Sequence, residues 1–224
     1  MRADFPLKDK YGFDDLVKVM RVLRGPGGCP WDAQQTHESI RKNFIEETYE
    51  AIEAIDAADP VLLQEELGDV LLQVIYHAAM EEEKGSFSID DVCDGICKKL
   101  VIRHPHIFGD VKVDTAEEVL SNWEMIKQQE KGQKTAAETL ESVPKVLPAL
   151  MRAEKIQKRA SRAGMDYDSV ADAFRDLRSE VDELEDAVKN GTPEQRGLEL
   201  GDLLFSAVNV SRFIGADAEE SLGL

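Results

Sequence analysis

Two sets of four carboxylates occur in this chain with the same spacing. The sets are Glu47, Glu50, Glu66 and Asp69, and Glu180, Glu183, Glu199 and Asp202. Placing Glu47 on Glu180 superimposes all four acids and the Leu-Gly pair before each aspartate, a pairing called the repeat alignment below. Carboxylate oxygens without neighbouring His or Cys suit hard divalent cations, Mg²⁺ or Mn²⁺. The spacing therefore predicts an internal repeat that builds two metal sites.

The first set requires two helices that pack against each other. Apolar and acidic residues alternate with helical period over 36–57, where Glu46, Glu47 and Glu50 share one arc of the helix. The next helix starts at Asp59-Pro60, an N-cap followed by a first-turn proline. Because the connection between the two is so short, the helices must run antiparallel, and their acidic stripes face each other.

The second helix of this pair makes metal binding the favoured interpretation. It is apolar on nearly all sides, which is typical of a core or an oligomer interface, yet Glu66, Asp69 and Gln73 form a polar stripe within it. Clustered carboxylates in such surroundings are costly unless a cation neutralises them. The alternatives are an ordinary solvated acidic face and an acid cluster with a purely structural role.

The remaining pattern predicts an all-α protein. Aromatic residues make up 6% of the chain, and no segment shows sustained period-2 alternation, so little or no sheet is expected. Gly and Pro predict a rigid loop over 24–35. Helices are predicted over 13–23, 36–57, 60–85, 88–103, 115–131, 148–164, 169–190 and 193–215.

Composition narrows the range of partners. A net charge of −18 over 224 residues argues against binding to duplex nucleic acid, and an anionic substrate would need a metal or a local basic patch. No apolar stretch is long enough for a membrane span. Three cysteines without a signal peptide favour a reducing cytoplasm over a disulfide framework. Cys93, Cys97, His104 and His106 fit structural zinc patterns poorly.

At its acidic residues the sequence resembles the MazG family of nucleoside triphosphate pyrophosphohydrolases, which lies within the all-α NTP pyrophosphatase superfamily. Two segments match that family's motif, Glu46-Glu47-Thr48-Tyr49-Glu50 and Glu66-Leu67-Gly68-Asp69. Similar stretches occur at 28–32, 103–109 and 122–124. The resemblance implies Mg²⁺-dependent cleavage of nucleoside triphosphates to a nucleoside monophosphate and pyrophosphate. It also implies a homodimer of tandem helical bundles that removes unwanted nucleotides.

The same resemblance assigns roles to the acids of the first set. Glu47, Glu50, Glu66 and Asp69 correspond to the metal ligands. Glu46 corresponds to a residue behind those ligands or to the base that orients the attacking water, so Glu46, Glu47 and Glu50 are the predicted catalytic residues.

Substrate contacts are also implied by the resemblance. Lys99 and Arg103 match the spacing of a basic pair that contacts phosphates, and Trp123 resembles an aromatic residue that helps to hold the nucleotide. The alternative is that Lys99 and Arg103 are solvated residues near a helix C-terminus, where the helix dipole favours cations. For Trp123 the alternative is core packing.

The second set departs from the family's pattern. Ser179 stands where the motif has its first Glu, and counterparts of the basic pair and Trp123 would fall beyond Leu224. The expected organisation is a first domain at 1–131, a linker at 132–147 and a second, truncated domain at 148–224. We therefore expect the first site to be active. A regulatory or scaffold dimer without turnover, and a pyrophosphatase selective for one nucleotide, are the competing interpretations.

Overall fold

The computed structural model describes residues 5–130, 132 and 135–223, and it divides into two compact units, Met1–Lys112 and Val113–Leu224. Throughout the described ranges the regular structure is helical and includes no strand. The prediction of an all-α fold is confirmed. The tandem-repeat detail stays a prediction.

Six helices form the first unit within its described residues, 5–112. Four of them are long and correspond to predicted helices, and two are short. They are α1 (Phe13–Arg24), α2 (Pro30–Gln34), α3 (His37–Asp56), α4 (Pro60–Lys84), α5 (Ile89–Arg103) and α6 (Pro105–Phe108).

The second unit contains the other helices of the described residues. Its largest contact joins two long helices that follow each other along the chain. The helices are α7 (Ala116–Glu130), α8 (Ala136–Glu141), α9 (Ala149–Arg162), α10 (Val170–Asn190), α11 (Pro193–Ile214) and α12 (Ala218–Gly223).

Capping residues in the sequence determine where α4 and α11, the second helix of each acid-bearing pair, begin and end. The Asp59 side chain accepts hydrogen bonds from two amides in the first turn of α4, and Thr192 caps α11 in the same way with one. Both helices have proline at their first position. They end at Gly85 and Gly215, whose φ angles of 73° and 72° lie in the left-handed region that glycine adopts without strain.

The core of the first unit lies where α1, α3 and α4 meet the start of α5. Met20 and Ile75 are both 1% exposed and anchor this cluster. Since the connection between α3 and α4 is so short, they pack antiparallel over most of their length. This packing fixes which residues of the two helices face each other. The other buried members of the core are Val17, Ile40, Tyr76, Ala78, Ala79, Met80 and Ile89.

The predicted loop at 24–35 contains helix α2, which the sequence reading missed. The Tyr76 hydroxyl donates to the backbone oxygen and the carboxylate of Asp32 at 3.0 and 2.9 Å. Arg24 donates to the backbone oxygens of Asp32 and Gln35 and lies over the Tyr76 ring. These contacts hold α2 against α1 and α4. The helix was missed because it depends on them and not on hydrophobic periodicity.

Residues 113–130 and the predicted linker belong to the second compact unit. The domain limits inferred from the sequence stay a prediction, but the segment 132–147 includes α8, which packs on α9. A capping box formed by Thr135 and Glu138 starts α8. The Arg159 guanidinium donates to the Ser142 hydroxyl at 2.7 Å just beyond its end. The predicted end of α7 at residue 131 lies outside the described residues.

No helix among the described residues is both long enough and apolar enough to cross a membrane.

Candidate metal centre

Helices α3 and α4 bring three of the predicted ligands together. Glu47 of α3 and Glu66 and Asp69 of α4 each offer a carboxylate oxygen, and these three oxygens lie within 4.8 Å of one another. Glu66 and Asp69 are one helical turn apart, so both project from one face of α4. The antiparallel pairing places Glu47 opposite that face. The face-to-face arrangement inferred from the sequence is therefore present.

The surroundings of this cluster disfavour negative charge. Glu66 is 9% exposed, and Glu47 and Asp69 are half-buried. Burial, followed by the charges of Asp69, Glu50 and Glu66, raises the pKa of Glu47. Burial and then the charges of Glu50, Glu65 and Asp69 raise the pKa of Glu66. The groups that act most strongly on both carboxyls are acidic, which is the environment that a cation would relieve.

Glu50 completes the first set from a more exposed position. Its charge raises the pKa of both Glu47 and Glu66. A divalent cation would offset this repulsion between acids. All four residues therefore fit a hard cation bound by oxygen ligands, such as Mg²⁺ or Mn²⁺.

Helices α10 and α11 form a second cluster of the same composition. Carboxylate oxygens of Glu180, Glu199 and Asp202 lie within 4.8 Å of one another. Burial and the neighbouring acids, Glu183 first, raise the pKa of Glu180. Glu183 itself accepts a hydrogen bond of 3.1 Å from the hydroxyl of Ser179. Ser179, which replaces the motif's first glutamate, thus contacts Glu183, the acid of its set that is not among the three converging carboxylates.

The other predicted site residues lie outside the converging carboxylates of the two clusters. Glu46 is exposed on α3 beside Glu47. Lys99 and Arg103 lie one turn apart on α5, a helix whose side chains are exposed from residue 90 to 102. Trp123 lies half-buried on α7 in the second unit. The roles of these four residues stay predictions.

A zinc site receives no support. Cys93 and Cys97 are exposed and free. Among the described residues, the groups whose ligand atoms converge consist of carboxylates alone.

Sequence reasoning missed one acid beside the second cluster. Asp176 accepts a hydrogen bond from the Ser206 hydroxyl, and it also interacts with the Tyr167 hydroxyl. Its charge contributes to the raised pKa of Glu180. The repeat alignment pairs Asp176 with Asn43, so the acid has no counterpart in the first set. A search for differences between the two sets, and not only for matches, would have found it.

Comparison of the sequence with known proteins identifies its family. A model of the MazG nucleotide pyrophosphohydrolase domain matches residues 35–108. A nucleoside triphosphate pyrophosphohydrolase/pyrophosphatase MazG from Thermotoga maritima is 45% identical over 210 residues, which are 94% of this chain and 79% of that protein. The chain belongs to the MazG family. The resemblance drawn from the acidic motifs is confirmed, and so is the prediction of an enzyme that hydrolyses acid anhydrides.

Other relatives match over similar lengths of this chain. A nucleoside triphosphate pyrophosphohydrolase from Escherichia coli K12 is 42% identical over 212 residues, covering 93% of this chain and 81% of the relative. The uncharacterized protein YabN of Bacillus subtilis is 47% identical over 223 residues, covering 97% of this chain and 45% of YabN. In these relatives the similarity extends well past residue 108, so it includes much of the second unit.

Proposed function

We propose that this protein hydrolyses nucleoside triphosphates to a nucleoside monophosphate and pyrophosphate with the help of Mg²⁺. The observation that carries the proposal is the convergence of Glu47, Glu66 and Asp69 between two packed helices. Membership of the MazG family and the printed activity of the relatives from Thermotoga maritima and Escherichia coli support the reaction. Mn²⁺ would serve the same oxygen ligands.

The four acids of the first set would hold the metal. When bound, Mg²⁺ would neutralise phosphate charge and lower the pKa of a coordinated water. The carboxylates of Glu47, Glu50, Glu66 and Asp69 position that charge on a rigid helix pair. The partly buried setting of Glu47, Glu66 and Asp69 would strengthen each electrostatic contact with the metal. Since these acids repel one another without a cation, the site selects for positive charge.

Residues outside the cluster would act on the substrate. Glu46 lies next to Glu47 in the chain and is exposed, so it can accept a proton from the attacking water or orient that water. Lys99 and Arg103 would bind the phosphates and stabilise the charge that builds on the departing pyrophosphate. Trp123 would stack on part of the nucleotide.

We assign turnover to the first set of acids. The matched family domain, residues 35–108, contains that entire set together with Lys99 and Arg103. Glu180, Glu183, Glu199 and Asp202 would bind a metal in the same manner, as the convergence of three of them supports.

We further propose a cytoplasmic homodimer that clears unwanted nucleotides. The three cysteines are all free, which suits a reducing compartment. One side of α3 carries apolar side chains that this chain leaves exposed, which suits burial against a second copy. The residues are Ile45, Tyr49, Ile52 and Ile55.

A matched pair of variants tests the function and the assignment together. Asp69→Asn and Asp202→Asn make the same change at equivalent places in the two sets. Pyrophosphate release is measured with each common nucleoside triphosphate, with Mg²⁺ and with EDTA. We expect Asp69→Asn to lose activity by about 100-fold or more, because it removes a metal ligand, whereas Asp202→Asn keeps most of it.

If Asp202→Asn lost activity and Asp69→Asn kept it, the second set of acids would be the catalytic one. No Mg²⁺-dependent release from any nucleotide by the unmodified protein would overturn the proposal and favour a scaffold without turnover. A single strongly preferred nucleotide would instead indicate a selective enzyme.

A further inference from the structure

The second unit contains a small polar pocket to which neither set of acids contributes. It lies where α8 meets α9, and its volume is about 220 Å³. Pockets for drug-sized ligands start at about 300 Å³, so this one suits a compact ligand. Of the described residues in its wall, two are arginines and none is acidic. The wall includes Gln128, Thr135, Thr139, Arg159, Arg162 and Ala163.

Arg159 presents an uncompensated positive charge in this wall. It is half-buried, and its Nη1 donates to the backbone oxygen of Thr139 and to the hydroxyl of Ser142. Both acceptors are neutral. Arg159 forms no ion pair with any residue that the structure describes, although the chain carries 45 acids and 27 bases. A partly buried charge without a partner is costly, and a bound anion would relieve that cost.

The open side of this guanidinium has the shape that phosphate requires. Nε and Nη2 of an arginine present two parallel N–H groups along one edge, which match two oxygens of a phosphate. The contacts of Arg159 engage Nη1, so this edge has no partner elsewhere in the described ranges. Because Thr139 and Ser142 already hold the guanidinium in place, an anion would bind it with little loss of side-chain freedom.

A second arginine adds charge from the next turn of the helix. Arg162 follows Arg159 by three residues, so the two lie on one side of α9. Arg162 Nη1 lies 3.2 Å from Oε1 of Glu124, and the same oxygen lies 3.3 Å from Lys127 Nζ. One acid therefore serves two cations. Together with Arg159, these groups comprise three cations and one acid, and two positive charges are left without a partner.

Neutral donors complete the pocket. The Thr135 hydroxyl accepts from the Glu138 amide at 3.2 Å, which leaves its own proton for a ligand. The Glu138 carboxylate accepts from the Thr135 amide at 3.1 Å and so is engaged at the start of α8. Gln128 of α7 adds an exposed side-chain amide. A ligand in the pocket would therefore contact α7, α9 and the residue that caps α8.

We propose that this pocket binds a phosphate-type anion, which is free phosphate or pyrophosphate or the phosphoryl group of a larger molecule. A phosphoryl group carries about two negative charges at neutral pH and several oxygens that accept strong hydrogen bonds. The two unpaired positive charges, the open edge of Arg159 and the Thr135 hydroxyl match these properties. In a chain of net charge −18, acids that could neutralise the arginines are plentiful, yet none of the described residues in the wall is one.

The pocket is independent of both metal centres. No acid of either set lines it, so the anion needs no divalent cation to bind there. Pyrophosphate is a product of the proposed reaction. Only the consequence that the enzyme would bind its own product at a second place rests on that reaction.

Calorimetric titration of the full chain tests the site after dialysis has removed divalent cations. Phosphate and pyrophosphate are added at constant ionic strength, and sodium acetate serves as a singly charged anion. We expect phosphate or pyrophosphate to bind with a dissociation constant below about 1 mM, and acetate to bind at least about tenfold more weakly. Glycerol 3-phosphate separates the sources, because tighter binding than that of both free anions would identify the phosphoryl group of a larger molecule.

Three variants alter the pocket, and one variant of the same helix is the control. Ala163→Glu brings an acid into the wall from an exposed position and should abolish binding. Arg162→Gln removes one charge, and Arg159→Lys keeps the charge but loses the paired edge; each should weaken binding about tenfold. Lys158→Gln removes a charge from α9 outside the pocket wall and should bind as the unmodified chain does. Circular dichroism and thermal unfolding check that each variant keeps its fold.

Three results would overturn the proposal. They are the absence of binding by every phosphate compound, undiminished binding by well-folded Ala163→Glu and Arg162→Gln, and an equal loss in Lys158→Gln, which would show general attraction to a basic helix. Binding that appears only after Mg²⁺ is added would likewise contradict it, because the anion would then lie at the acids. A protein without turnover could still pass the titration, since no step of it involves hydrolysis.

Discussion

At the scale of single residues, the first acid cluster places charges where the fold disfavours them. Glu47 and Glu66 both have raised pKa values, caused first by burial and then by neighbouring acids. Their unfolded pKa values are near 4.5, and the folded values lie higher. Above both values the repulsion is fully present and lowers the free energy of unfolding. Below the unfolded pKa the carboxyls are protonated in both states and the effect disappears.

Glu47→Gln should therefore stabilise the metal-free protein at pH 7. The change removes one of the mutually repelling charges and leaves the shape of the side chain nearly intact. We expect thermal unfolding in EDTA to occur about 2 °C or more above that of the unmodified chain, and the difference to shrink as the pH falls towards 4. Added Mg²⁺ should stabilise the unmodified chain more than the variant.

The surface change Glu53→Gln on the same helix is the control. Equal effects of Mg²⁺ on Glu47→Gln and on the unmodified chain would show that Glu47 does not contribute to a metal site.

Two adjacent lysines allow the phosphate role of α5 to be tested. Lys98 pairs with Asp94 at 2.5 Å, one turn before it on the helix, whereas Lys99 projects in a different direction. Lys99→Ala should raise KM for the nucleotide about tenfold without changing the affinity for Mg²⁺, because one charge-assisted contact is lost. Steady-state kinetics and metal titration measure the two effects. Lys98→Ala should leave KM unchanged, and equal effects of the two variants would argue against a specific contact by Lys99.

The residues that could be predicted are those whose positions follow from helix periodicity. Glu47, Glu66 and Asp69 could be placed on facing stripes because the helical period and a short connection determine the geometry. The hydrogen bond from Gln157 to the backbone of Phe205 could not be predicted, because it forms only through the packing of α9 on α11, which no local pattern in the chain encodes.

At the scale of elements, a pair of histidines joins the start of α3 to α4. Nδ1 of His37 and Nδ1 of His77 are 2.7 Å apart, and the rings stack with centroids 5.0 Å apart. His37 Nε2 lies 2.7 Å from Glu81, which also pairs with Lys84. Two imidazoles can share a hydrogen bond only while one nitrogen lacks a proton. The contact thus joins α3 to α4, the helices that carry the proposed metal ligands, and its strength depends on pH.

His77→Gln should remove part of the acid sensitivity of the fold. Burial, and then the neighbouring His37, lowers the pKa of His77 below its usual 6.5. The stability from the neutral ring is present above pH 6.5 and is lost as the pH falls from there towards the folded pKa. We expect the difference in unfolding free energy between the unmodified chain and His77→Gln to be larger at pH 8 than at pH 5.5, as measured by urea denaturation.

The change His106→Gln, away from the α3/α4 pair, controls for loss of a histidine. A difference for His77→Gln that stays constant across this pH range would show that the His37–His77 contact does not titrate.

The long helices were predictable and the short ones were not, for a physical reason. Capping residues and an apolar stripe specify α4 and α11 locally, and both begin at the predicted proline. Helices α2, α8 and α12 span six residues or fewer. Helices of that length are not stable alone and form where tertiary contacts hold them. The contacts of α2 with Tyr76 and Arg24 exist only in the folded chain.

At the scale of the whole molecule, the two units differ in the outer face of the first helix of each acid-bearing pair, α3 and α10. On α3 that face carries Tyr49 and Ile52, 55% and 45% exposed. The repeat alignment pairs them with Asp182 and Glu185 on α10. An exposed apolar stripe is typical of an interface, whereas a charged one is stable in water. The first unit therefore presents on α3 an apolar surface suited to a second copy of the chain, whereas the two corresponding positions of α10 are charged.

Replacing Tyr49 and Ile52 by the residues of the second unit should separate the proposed dimer. Tyr49→Asp with Ile52→Glu buries two charges in the interface without partners, which is strongly unfavourable, while α10 shows that the same residues are tolerated on such a helix in water. Light scattering after gel filtration should change from about twice 25.0 kDa to 25.0 kDa. Val188→Glu on α10 is the matched control and should leave the mass unchanged. If the unmodified chain is already monomeric, or if the double variant still forms dimers, the stripe on α3 is not the interface, and its exposure must serve a different partner.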